Sequence, residues 1–126
     1  MKLIVNGYTI ESDDPANVIS AAIRSFGDNP ELESVRHWAL SEFANLKAQQ
    51  QNQAGITEAM FYEAKRWQEQ SGTSLNLNPG NQTPAAYAAW VVTTWDKIEA
   101  DYRLAVSLIN QAKNTDEIQI IMTRRF

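Results

Sequence analysis

The chain has no cysteine among its 126 residues, a single histidine, five glycines and four prolines. Without cysteine there is no disulfide framework, no thiolate metal site and no cysteine nucleophile. With His37 as the lone histidine, a Ser-His-acid triad has one candidate base, and no Gly-x-Ser-x-Gly elbow accompanies it. His37 and Glu33, four residues apart, make at most half of a metal site. A histidine at the margin of a helix is the better reading, and neither a metal nor a cofactor is expected. A glycine-rich phosphate loop is missing too, because Asn78-Pro79-Gly80-Asn81 lacks the lysine and the strand–helix context.

Basic charge is also short. The net charge of −4 and a pI near 4.9 leave no stripe able to displace counterions from a phosphate backbone, so nucleic acid is excluded as a general partner. Apolar runs are brief, far below the eighteen or so residues of a membrane span. The opening Met1–Gly7 is too short in apolar character for a signal peptide. A cytoplasmic protein with no membrane partner is expected. Nothing in this inventory favours catalysis, and the chain is expected not to be an enzyme.

What is present is a globular composition, 44% hydrophobic and 21% charged, in a length that suits one domain over residues 1–126. Asn6-Gly7 is the preferred pair for a type I′ turn, and a two-residue turn there pairs Val5 with Tyr8 and Lys2 with Glu11. Leu3, Val5, Tyr8 and Ile10 then share one face, and Lys2, Ile4, Thr9 and Glu11 the other. Asp14-Pro15 opens a first helix with its apolar face at Pro15, Val18, Ile19, Ala22, Ile23 and Phe26, closed by Gly27. Asn29-Pro30 opens a second, with Val35, Ala39, Phe43 and Leu46 inward and a glutamine-rich run, Gln49–Gln53, where it frays. Thr57 caps a third, which ends near Gly72. Residues 73–82 form the longest irregular segment, marked by Pro79-Gly80.

Thr83-Pro84 opens the fourth and longest helix, expected to reach Lys113 with Asn114 as its left-handed cap. Val91, Trp95, Ile98, Tyr102, Ala105, Ile109 and Ala112 step by alternating fours and threes, a heptad-like seam. After it, Ile118, Ile120 and Met122 alternate with polar neighbours, which predicts a strand over Asp116–Phe126. The expected fold is therefore α+β and predominantly helical. An N-terminal β-hairpin and the C-terminal strand make a small antiparallel sheet on four helices, the last one long.

Two surfaces stand out. Pro84–Lys113 as a straight helix spans about 45 Å, while a domain of this size is about 35 Å across. The seam then outruns its own cover, and a homodimer through Trp95, Ile98, Tyr102, Ala105 and Ile109 is expected. The other surface is aromatic and cationic. Trp38 and Trp90, off the centres of their apolar faces, can stack on a planar ligand, while Arg124 and Arg125 clamp an anion. For those two arginines, charge that blunts an edge strand is the preferred explanation. The function expected is non-enzymatic interaction, through self-association and binding of another protein, with small-ligand binding as the alternative. No family resemblance is evident; the clear capping signals in a small acidic chain are in the style of phage and mobile-element accessory proteins.

Overall fold

The computed structural model describes residues 1–5, 8–27, 29–70 and 72–126, with the side chain of Tyr8 excepted. The turn expected at Asn6-Gly7 lies outside the described residues. The strands on either side keep the predicted register. β1 (Lys2–Val5) and β2 (Tyr8–Glu11) are antiparallel, pairing Lys2 with Glu11, Leu3 with Ile10, Ile4 with Thr9 and Val5 with Tyr8. Leu3 and Val5 are buried, while Ile4 is 65% exposed on the opposite face.

Five helices follow: α1 (Pro15–Arg24), α2 (Leu32–Ala54), α3 (Glu58–Glu69), α4 (Pro84–Gln111) and α5 (Thr115–Arg125). Their starts are chemical. Asp14 accepts from the Ala16 N–H at 3.0 Å, Thr57 from Met60 at 3.2 Å, and Thr83 from Ala86 at 3.1 Å. Each cap satisfies an N–H that the helix itself leaves without a partner. The glutamine run does not end α2, which stays helical to Ala54; Gly55, with φ of +70°, makes the turn.

The last segment corrects the expected strand. Residues 115–125 are helical, and the sheet has two strands among the described residues. Asn114 is extended rather than left-handed. Its side chain accepts from the Glu117 N–H at 2.9 Å, and Glu117 reaches back to accept from the Lys113 N–H at 2.6 Å. That reciprocal pair is a capping-box arrangement, followed by acids in the first turn and Arg124 and Arg125 in the last, which suits the helix dipole. Ile118 and Met122, four apart, are buried together, whereas Ile120 is turned outward at 51% exposure. Alternation had put all three on one side. With no strand here, Arg124 and Arg125 blunt no sheet edge; the hairpin rests instead on α1, which also carries α5.

The chain divides into two compact units, Met1–Phe43 with Leu104–Phe126, and Ala44–Arg103. Helices α2 and α4 contribute to both. The first unit buries Leu3, Val5, Val18, Ile19, Ala22, Val35, Ala39, Ala105, Ile109, Ile118 and Met122, and Phe126 packs on Phe43 with ring centroids 5.0 Å apart. The second is built on Ile56, Ala64, Ala88 and Val91, flanked by Trp67, Tyr87 and Trp95.

The long-helix seam points inward as expected, but its cover comes from the same chain. Ile98, Ala105 and Ile109 are buried, and Trp95 and Tyr102 are half-buried. In the second unit α2 lies against α4: Lys47 pairs with Glu99 at 3.0 Å and sits 4.7 Å from the centre of the Tyr102 ring. In the first unit Arg36 of α2 reaches the C-terminal end of α4. Its guanidinium donates to the Ile109 carbonyl and, at 3.1 Å, to that of Ala112, while Nε bonds Glu33 at 3.2 Å. In the second unit α3 covers the seam as well, Phe61 stacking on Trp95 with ring centroids 5.6 Å apart.

Replacing Arg36 with Ala should strand the Ala112 carbonyl, leave the Ile109 carbonyl only the Ala112 N–H at 3.3 Å, and cost about 2–3 kcal/mol of stability, since bonds to a charged donor are worth about 1.5–3 kcal/mol each. Arg36→Lys, which lacks the fork, should recover less than half. Urea denaturation followed by circular dichroism reads both; a loss under about 0.5 kcal/mol for Arg36→Ala would show that the fork does not hold the corner.

Candidate functional site

The first unit opens a cleft of about 560 Å³ where β1, the end of α1 and the first half of α2 come together. Its walls are Ile4 and Val5 from the hairpin, Phe26 just past α1, and Trp38 from α2; Glu33, Ser34, His37 and Ser41 line it with polar groups. Phe26 and Trp38 form a tilted aromatic pair, centroids 5.9 Å apart. Gly27, at φ +113°, takes a positive-φ conformation directly after Phe26, past the end of α1.

Two polar groups on this stretch of α2 have perturbed surroundings, Trp38 on the cleft wall and Glu42 outside its lining. The indole Nε1 is buried without a hydrogen bond of good geometry. Burial pushes the Glu42 carboxyl, one turn further on, above the usual carboxylate range, and the nearby indole N–H offsets part of that rise. His37 is exposed on the cleft wall, one helical turn from Glu33, which lines it too. No three of His, Cys, Asp or Glu gather as potential metal ligands among the described residues. What this arrangement offers is an apolar slot with hydrogen-bonding walls.

The second unit has a more polar cleft of about 420 Å³. Phe61 stacks on Trp95 at 5.6 Å, Tyr62 is 60% exposed, and Glu58, Asp96, Glu99 and Arg103 surround them. Glu99 is already engaged by Lys47 and Gln51. Nearby, Glu63 pairs with Arg66, and together they fasten the irregular segment: Arg66 donates to Thr73 at 3.2 Å and to the Ser74 carbonyl at 2.9 Å, and Glu63 accepts from the Asn76 N–H at 3.2 Å. The Arg66 hydrogen bond holds the Glu63 carboxyl below its ordinary range.

The four residues proposed as a ligand set are divided between the two units. Trp38 belongs to the first unit, while Trp90 lies on α4 in the second, beside Tyr87 at 5.8 Å between ring centroids. Arg124 and Arg125 occupy the last turn of α5 and do not line the Trp38 cleft. Of the supplementary arginines, Arg36 is committed to α4 carbonyls and Arg66 to Glu63. Sequence reasoning missed Ile4 and Phe26. A signal for the first existed: Ile4 is the one aliphatic residue on the polar face of the hairpin. Compared with known proteins, the chain matches no family model, and no curated protein or solved structure shows similarity to it. No helix among the described residues is long and apolar enough to cross a membrane.

Two carboxylates should give opposite pH signatures. Glu42, raised in the folded state, favours folding when protonated, so its ionisation weakens the protein as pH rises through and above its ordinary value. Glu42→Gln should therefore raise Tm at neutral pH, with the gain vanishing below about pH 4. Glu63, lowered in the folded state, stabilises above its ordinary value and loses that effect in acid. Glu63→Gln should lower Tm at neutral pH, and the difference should fade only once pH falls well below the ordinary carboxylate range. Thermal melts at both pH values check the pair; equal shifts at both would contradict these assignments.

Proposed function

We propose that the chain is a non-enzymatic binding protein acting in the cytoplasm, and that it holds an extended segment of a partner protein along β1 with an apolar side chain seated in the Trp38 cleft. The observation that carries this reading is the cleft's position at an open strand edge. In an antiparallel pair the ladder bonds alternate, and the Ser12 N–H to Met1 carbonyl bond at 3.0 Å falls two residues from the Leu3–Ile10 pair, as that alternation requires. The backbone groups of Lys2 and Ile4 then face away from β2, toward an edge with no strand beside it among the described residues. A free edge with an adjacent side-chain pocket is the geometry of strand addition: main-chain bonds supply affinity and the pocket supplies selectivity.

An exposed Ile4 and a tilted aromatic pair suit a Leu, Met or Phe side chain better than an anion, since the lining holds Glu33 and no arginine. The reading requires no cofactor.

Selection of a random peptide library on the folded protein tests it. Binders should be extended, carry an apolar anchor, and lose at least tenfold in affinity, about 1.4 kcal/mol, against Trp38→Ala. Ile4→Pro removes the outward N–H without touching the β2 ladder, so it should abolish binding while the protein still melts cooperatively. Binders indifferent to both changes would refute the site.

A further inference from the structure

Within the second unit, the start of α3 and the middle of α4 enclose the more polar cleft of about 420 Å³. Its α3 side is one ridge: Glu58, Phe61 and Tyr62 stand three and four residues apart, so the Glu58 carboxyl and the Tyr62 ring share a face. Its α4 side is Trp95, Glu99 and Arg103 at four-residue steps, with Asp96 beside Trp95. Phe61 is occupied by its stack on Trp95, and Glu99 by Lys47. That leaves the Tyr62 ring, 60% exposed, and the exposed carboxylates of Glu58 and Asp96.

We propose that this cleft binds an organic cation, an alkylammonium group that lies on the Tyr62 ring with Glu58 and Asp96 as its counter-charges. The same unit already holds cations in this way. One turn further along α4, the Lys47 Nζ sits 4.7 Å from the centre of the Tyr102 ring and 3.0 Å from the Glu99 carboxylate. A ring face and a carboxylate together are what an ammonium group favours, because the ring quadrupole adds to the ion pair. Lys65 Nζ lies over the Phe61 ring as well, 5.4 Å from its centre. Tyr62 with Glu58 and Asp96 repeats the ring-and-carboxylate combination, but among the described residues the lining supplies no ammonium of its own. The ligand supplies it.

The lining sets the sign and the kind of cation. An anion would meet Glu58 and Asp96 against the single guanidinium of Arg103. A bare metal ion needs several oxygens converging on one point, and no three acids gather in that way among the described residues. An alkylammonium needs no such convergence: its methylenes lie along the ring while its charge faces the carboxylates. That group occurs both on a free polyamine and on a lysine side chain of another protein. The ring and both carboxylates are exposed to water, so each adds little and binding should be weak, with a Kd of about 1 mM. Arg103 opposes the ligand. The site lies in the second unit, so it stands or falls independently of the strand edge in the first.

Amide chemical shifts followed by NMR as n-butylammonium is added test the proposal, with n-butanol as the neutral control of the same shape. The ammonium should move the amides of Tyr62, Asp96 and their helical neighbours saturably, and n-butanol should not. Tyr62→Ala removes only an exposed ring; it and Asp96→Asn should each weaken binding about threefold or more, with circular dichroism unchanged. Arg103→Ala should tighten it about twofold or more. Spermidine and Nα-acetyl-lysine amide separate the two sources, the tighter binder naming the carrier of the group. No saturable shift by about 50 mM n-butylammonium overturns the proposal. So does n-butanol binding as well as the ammonium. Binding that Tyr62→Ala and Asp96→Asn leave intact overturns it too, since that is diffuse attraction to an acidic surface.

Discussion

The first unit depends on what becomes of the carbonyls at the end of α4. A helix leaves its last four C=O groups without partners, and burying them unsatisfied costs about 1–3 kcal/mol each. Here Arg36, with its side chain 15% exposed, reaches from α2 to the Ile109 carbonyl in that last turn and to the Ala112 carbonyl just past it. With the carbonyls of Ile109 and Ala112 engaged, the chain can leave α4 next to the core. Asn114 and Glu117 then start a new helix almost at once, and its Ile118–Met122 face packs against α1. The same arginine thereby orients the helix that lies beneath the hairpin's support, and so reaches the strand edge where binding is proposed.

The second unit solves a similar problem with different groups. Its irregular segment between α3 and α4 has too few apolar residues to hold itself down; Leu77 packs on the core, and Glu63 with Arg66 ties the backbone at Ser74 and Asn76. The ion pair is only partly covered, so its value lies in fixing a path more than in Coulomb energy. The residues of α4 left over, Trp90 above all, are those that no element of this unit needs.

Helix starts were legible because capping is local: Asp14, Thr57 and Thr83 each announce themselves within four residues. The hairpin register was legible for the same reason, and the inward direction of the α4 seam followed from its period. The C-terminal segment was not, because Ile118, Ile120 and Met122 satisfy a period of two while Ile118 and Met122 also satisfy a helical four. The deciding signal, Asn114 with Glu117 three residues on, was present but was assigned to the end of the preceding helix. Cover for the long helix was misjudged because Gln49–Gln53 looked like a frayed end, though straight-chain glutamine loses little freedom in a helix. Arg36 could not have been found locally: its acceptors lie 73 and 76 residues away. The site was half visible. Trp38 stood off its apolar face, but only the fold brings Ile4 and Phe26 to it.

If the Arg36 fork couples the end of α4 to the rest of the first unit, α5 should not behave as a fraying terminus. Native-state amide hydrogen exchange measures this directly, residue by residue. The amides of Ile118 and Met122 should exchange with the same opening free energy as those of Ile23 in α1 and Ala39 in α2, all through one cooperative unfolding. Exchange of Ile118 and Met122 by local opening, several kcal/mol easier than the α1 and α2 amides, would contradict it and leave the corner as a loose end.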